Sequence, residues 1–223
     1  MMLKRLSAIV LTVIIICACI SPAVFAQNKE KDYSHLKGTT LNVYNWGEYI
    51  SDGQEGTLDV NKAFEERYGI QVNYTNYESN ENMYNKLKSG GANYDVVIPS
   101  DYMIAKLVEE NMLRELDYSN IPNYKYIVEK YKNLYYDPEN KFSVPYTVGM
   151  VGLIYNTTMV EGNPDSWGIL WDEKYAGKIL MFNNPRDAFG IAQFYAGQSI
   201  NTTDVAEWDK SIELLKEQNP LVA

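Results

Sequence analysis

The hydrophobic and polar positions change their spacing as the chain advances. Residues 41–45 alternate, with Leu41 and Val43 on one face, and predict a strand. Residues 60–68 switch to helical spacing through Val60, Ala63 and Phe64, and Gly69 supplies the stop. Residues 71–75 are strand-like again. Met83, Tyr84 and Leu87 mark a second helix that starts near Ser79 or Asn80 and ends at Gly90-Gly91. A short apolar run at residues 94–98 predicts a third strand, and Ile104, Leu107 and Val108 a third helix. This strand–helix order, repeated, predicts an α/β domain with a largely parallel sheet.

Residues 118–140 break the pattern with a tyrosine-rich, irregular stretch. Apolar runs at residues 150–155 and 178–182 predict two more strands, and residues 189–195 a helix. A last helix is expected over residues 204–216, with Val205, Trp208, Ile212 and Leu215 on one face. Thr203 or Asp204 is placed to cap it, and Glu207 to reach back. The strand pattern restarts between Pro145 and Gly152, which places a change of lobe there and divides the chain into residues 40–147 and 148–223.

The N-terminus has a different logic. Lys4 and Arg5 precede an apolar run over residues 8–20, Ser21-Pro22 breaks it, and Val24-Phe25-Ala26 offers small residues at cleavage positions. Residues 1–26 thus read as an export signal, shorter in its apolar run than the roughly 20 residues that span a bilayer. A polar lead-in over residues 27–39, expected to be mobile, follows. Both cysteines, Cys17 and Cys19, lie inside the signal, so cleavage after Ala26 leaves no thiol for disulfides, catalysis or metal. The competing reading takes Ile16-Cys17-Ala18-Cys19 as a loose lipobox with Cys19 as a lipid anchor. Either route exports the chain.

Composition narrows the chemistry. The net charge of −9 becomes −11 when two cations leave with the signal, so no basic face for nucleic acid is expected. The single histidine, His35, sits in the lead-in, which leaves no Ser-His-Asp triad and no HExxH helix. Neither GxGxxG nor GxxxxGK[ST] occurs, and no cofactor or metal is expected. What stands out is acidic residues combined with 19 tyrosines, since carboxylates and aromatic faces both attract cations.

Ligands of open α/β sheets bind beyond the carboxyl ends of the strands. That rule selects Trp46-Gly47-Glu48-Tyr49, Asn76-Tyr77-Glu78, Pro99-Ser100-Asp101-Tyr102 and Asn183-Asn184-Pro185-Arg186-Asp187. Three of these loops pair an aromatic with a carboxylate and the fourth supplies Asp187, a set suited to a small organic cation. Taken one at a time, each residue also fits an ordinary role as a cap or as rim packing. Arg186 either neutralises a neighbouring carboxylate or faces away. A rival use of Glu48 and Asp187 is acid/base hydrolysis of a glycoside, which needs two opposed carboxyls and a water.

The motifs Tyr44-Asn45-Trp46-Gly47-Glu48-Tyr49, Tyr77-Glu78-Ser79-Asn80-Glu81, Tyr94-Asp95-Val96-Val97-Ile98-Pro99-Ser100 and Trp171-Asp172-Glu173-Lys174-Tyr175-Ala176-Gly177 resemble the spermidine/putrescine-binding proteins of bacterial polyamine ABC importers. The resemblance runs from about Thr40 to the last residue. It implies a two-lobed, periplasmic-binding-protein-like fold of type II that closes on its ligand, without catalytic activity. It also implies a polyamine ligand and, as partners, permease and ATPase subunits at the membrane. By motif position Trp46 and Tyr49 would wall the channel, Gly47 and Glu48 would contact an amine, and Ser100 and Tyr102 would line the first lobe. Asp187 occupies the place of an acidic gripping residue, and Asn184 stands where some relatives carry aspartate. Gly47 replaces a hydroxyl residue of some relatives, and both changes bear on the choice between spermidine and putrescine. Residues 54–59 look like a neutral insertion. Against the family the chain is expected to lack roughly the last third, leaving the second lobe incomplete and several ligand contacts missing. A non-binding remnant and a binder of another small solute are the alternatives within this fold.

Overall fold

The computed structural model describes residues 31–91 and 93–223. The export signal, with Cys17 and Cys19, and the first residues of the lead-in lie outside the described residues. Three strands form one parallel sheet in the order β2-β1-β3: β1 is Thr40–Trp46, β2 Gln71–Tyr77 and β3 Val96–Val97. Helices α1 (Val60–Tyr68), α2 (Asn80–Lys88) and α3 (Asp101–Glu109) connect and follow them. The order is the one the spacing predicts, and a parallel sheet follows from it because each strand returns through a helix.

The helix ends are set by local chemistry. Asp59 accepts from the Lys62 amide at 2.9 Å to start α1, and Gly69 ends it with φ +66°. A Cβ on Gly69 would also fall 2.7 Å from the Lys37 side chain. Ser79 caps α2 through the Asn82 amide at 3.2 Å. β1 and β2 run one or two residues further than the apolar spacing suggests, whereas β3 is shorter than the expected residues 94–98. Asn45 pairs with Asn76 and Trp46 with Tyr77, and aromatic side chains hold this end of the ladder. Tyr44 stacks on Tyr94 at 4.3 Å and meets Tyr77 edge-on at 4.9 Å, while Trp46 lies 4.7 Å from Tyr77. With Met83, Met103 and Leu107 these rings form the core between sheet and helices.

The described part of the lead-in is docked. Ser34–Leu36 makes a short 3-10 turn, and the Gly38 amide donates to the Gly69 carbonyl at 2.7 Å. Lys31 donates to the Ser119 carbonyl and the Asn120 side chain, each at 2.6 Å. A polar composition conceals these bonds, because they are made largely by backbone groups.

The tyrosine-rich stretch is organised by two buried polar side chains. The Asp137 carboxylate accepts from the Lys141, Phe142 and Ser143 amides and the Ser143 hydroxyl at 2.8–2.9 Å. Asn140, with φ +49°, accepts from the Tyr124 hydroxyl and the Asn133 amide at 2.7 Å. Tyr118 donates to the Asn140 carbonyl.

The strands expected at residues 150–155 and 178–182 do not form among the described residues. Met150 and Ile154 are 96% and 98% exposed, and Leu180 84%. An apolar run becomes a strand only where a neighbour completes the ladder, and here Ile179 alone makes one bridge, to Val222. The second half is instead helical. Helix α4 (Pro185–Tyr195) packs on α5 (Val205–Gln218), with Ile191 and Ala192 buried. Trp171 stacks on Tyr195 at 4.5 Å and its indole donates to the Leu214 carbonyl at 2.7 Å. Asp204 caps α5 through the Ala206 amide at 2.8 Å.

Candidate functional site

The carboxyl ends of β1 and β2, and the start of α3 just beyond β3, face one region. Trp46 closes β1, and Gly47, Glu48 and Tyr49 follow as exposed residues. The Tyr49 ring lies 6.0 Å from Trp46, and its carbonyl accepts from the Tyr146 hydroxyl. Asn76 holds the turn from the other side by donating to the Trp46 carbonyl at 3.2 Å. A Cβ on Gly47 would stand at ordinary contact distance, 3.7 Å, from that Asn76 amide. Tyr77 is only 6% exposed and donates to the Ile98 carbonyl at 2.5 Å. Burial, then the neighbouring tyrosines Tyr49, Tyr44, Tyr102 and Tyr74, push its hydroxyl far up, so it stays a neutral donor.

Ser100 and Tyr102 open α3. The Ser100 hydroxyl makes no capping bond, which leaves it available, and its amide donates to Asn80 Oδ1 at 3.1 Å. The same Asn80, fully buried, donates through Nδ2 to the Tyr102 hydroxyl at 2.9 Å. Tyr102 in turn donates to Glu81 Oε1 at 3.0 Å. Burial is the main cause that pushes the Tyr102 hydroxyl up to about 12, with the Glu81 carboxylate adding to it. Glu81 Oε2 is buried without a hydrogen-bond partner.

The loop before α4 meets this group. Asn184 is the N-cap of α4: its Oδ1 accepts from the Arg186 amide at 3.1 Å. Its side-chain oxygen keeps one further lone pair, and its NH2 is a donor. The Arg186 guanidinium lies 4.2 Å from the centroid of the Tyr102 ring. Asp187, partly buried in the first turn of α4, is raised above the usual carboxylate range by burial, and the Arg186 charge works against that rise. Through Arg186 the structure brings the Asn184–Asp187 loop to Tyr102. Trp46, Tyr49 and Tyr77 cluster at the ends of β1 and β2, and Glu48 stands exposed between Gly47 and Tyr49.

Asn80 and Glu81 are the residues that the strand-end rule misses, since they open a helix and lie outside the loop. Their signal is the motif Tyr77-Glu78-Ser79-Asn80-Glu81, where a buried asparagine and a partly buried glutamate follow a cap. Among the described residues no cluster of histidine, cysteine and carboxylate side chains could hold a metal ion.

Known proteins share this arrangement of motifs. Residues 60–220 match the family model described as bacterial extracellular solute-binding protein. The chain belongs to that family. The spermidine/putrescine-binding periplasmic protein 1 of Haemophilus influenzae is 38% identical over 82% of this chain and 50% of its own length. The spermidine/putrescine-binding periplasmic protein of Salmonella typhimurium is 37% identical over 82% of this chain and 52% of its own. Among solved structures, a Listeria monocytogenes protein provisionally described as a spermidine/putrescine ABC transporter superposes with a TM-score of 0.77 at 37% identity. It is matched over 82% of this chain and 56% of its own. A Treponema pallidum lipoprotein reaches a TM-score of 0.73 at 31% identity, over 82% of this chain and 56% of its own. The fold is thus that of the periplasmic-type solute-binding proteins, as the motifs imply. The chain spans about half the length of the curated relatives it matches.

Proposed function

We propose that this solute-binding protein captures a protonated polyamine, putrescine or spermidine, outside the cytoplasm and presents it to an ABC importer. The observation that carries the reading is the contact of the α4 loop with the strand ends. Trp46 and Tyr49 present rings there, backed by the buried Tyr77, and Arg186 of the Asn184–Asp187 loop lies over the Tyr102 ring, next in sequence to the partly buried Asp187. Flat rings cover a methylene chain and attract its charged ends, and a carboxylate gives an ammonium a charge-assisted hydrogen bond. Glu48 and Ser100 add a second carboxylate and a free hydroxyl at the same strand ends. Relatives that bind spermidine and putrescine by name support the ligand class.

Two lobes, residues 40–147 and 148–223, would close on the ligand, and the closed form would dock on permease and ATPase subunits. The protein acts by capture and carries out no reaction. Export fits the leader and the periplasmic relatives, and among the described residues no helix is long and apolar enough to cross a membrane. The test is calorimetric titration of the full chain with putrescine beside its Asp187→Ala variant. Stranding an ammonium costs about 2 kcal/mol, so affinity falls about thirtyfold. A loss of less than twofold would remove Asp187 from the site.

A further inference from the structure

We propose that Arg186 is a resident cation on Tyr102, which the incoming ammonium must displace, so that Arg186 sets the threshold for ligand affinity. This rests on the polyamine reading above. Three observations converge on it. The guanidinium lies over the Tyr102 ring at 4.2 Å, the distance of a cation–π contact. The Tyr102 hydroxyl is held by Asn80 at 2.9 Å and Glu81 at 3.0 Å, which fixes the position of the ring whose face Arg186 covers. The Arg186 charge also reaches the neighbouring groups Asp187 and Tyr135, and Tyr135 donates to Asp101 at 3.1 Å. The anionic, aromatic surroundings that suit an ammonium are therefore already shared with a cation of the chain itself.

One face of one ring holds one cation. An ammonium that approaches Tyr102 and Asp187 either meets like-charge repulsion from Arg186 or moves it aside. Arg186 is exposed and lies in the first turn of α4, so its long side chain can swing to water without unfolding the helix. Its contact also links α4 to α3, so displacement by ligand would exchange one bridge between these elements for another. The resident cation costs affinity and discriminates against amines too weakly charged to displace it.

The test is titration of the full chain with putrescine for wild type, Arg186→Gln and Arg186→Lys, with circular dichroism to check that each folds alike. Releasing an exposed cation–π contact of this kind is expected to tighten binding about twofold to fivefold in Arg186→Gln. Arg186→Lys, which keeps the charge, should stay near wild type. In a Tyr102→Leu background the Arg186→Gln gain should shrink, because no ring remains to compete for. Binding in Arg186→Gln but not in wild type would be the extreme form of the same result. Unchanged or weaker binding in Arg186→Gln would overturn the inference while leaving the polyamine reading intact, provided Asp187→Ala still loses affinity. No amine binding in wild type or in either Arg186 variant would overturn both.

Discussion

At the scale of single residues, buried carboxylates and amides carry more of the structure than their number suggests. Asp137 is 3% exposed and accepts four hydrogen bonds from residues that follow it. Removing it leaves three amides and a hydroxyl facing a void. Asp137→Ala should lower stability by about 3 kcal/mol, read as a shift of the denaturant midpoint at constant slope. Asp187 is the functional counterpart. Burial raises its pKa above 3.8, so in the empty protein its ionised form opposes folding, and that cost disappears as pH falls through the raised value toward 3.8. A bound ammonium favours the ionised form instead. Putrescine affinity should therefore fall as pH drops through the raised pKa, and this pH dependence should flatten in Asp187→Asn. A slope that persists unchanged in the variant would assign it to another group.

At the scale of elements, the site depends on how α2 holds α3. Asn80 bonds both Ser100 and Tyr102, so one side chain of α2 fixes the start of α3. Asn80→Ala should cost about 2 kcal/mol of stability by orphaning the Ser100 amide, and should also weaken amine binding. Normal affinity in a destabilised variant would separate the two roles. The other end of α3 is held by Glu110, which accepts from Lys106 at 2.7 Å, Tyr84 at 2.7 and 2.8 Å and Lys88 at 3.0 Å. These bonds, with Lys106 the strongest cause, lower Glu110 from 4.5 to about 2. Its contribution is present above the ordinary value and lost as pH falls from about 4.5 toward 2. Glu110→Gln should thus lower Tm at neutral pH, and the difference from wild type should close across that acid window.

The same scale shows what could be read from the chain. The first three strands and helices were legible because each apolar face is completed by a neighbour close in sequence: β1 meets β2 and β3, and the caps Asp59 and Ser79 lie beside their helices. Topology also selected the loops beyond the strand ends, and the structure brings the Asn184–Asp187 loop to Tyr102. The runs at residues 150–155 and 178–182 have strand composition, yet pairing is a property of two segments and cannot be seen in one. Asn80 and Glu81 were hidden for a related reason, because a polar residue in a first helical turn usually faces water. Here the tyrosine of the next helix engages both, Asn80 buried and Glu81 partly so.

At the scale of the whole molecule, the acidic, tyrosine-rich composition resolves into two different uses. Tyr118, Tyr124 and Asn140 stabilise the long irregular stretch, whereas Tyr49, Tyr77 and Tyr102 face the strand ends with Trp46. In the second group Tyr49 is exposed and Tyr77 is buried behind it, and the ligand chemistry proposed for this end depends on charge. The most direct measurement is calorimetric titration of the full chain with putrescine beside butanediol, which has the same length and no charge. Saturable binding of putrescine, with no heat from the diol, is the predicted result. Equal binding of both, or of neither, would contradict capture of a cationic amine by the aromatic wall and Asp187.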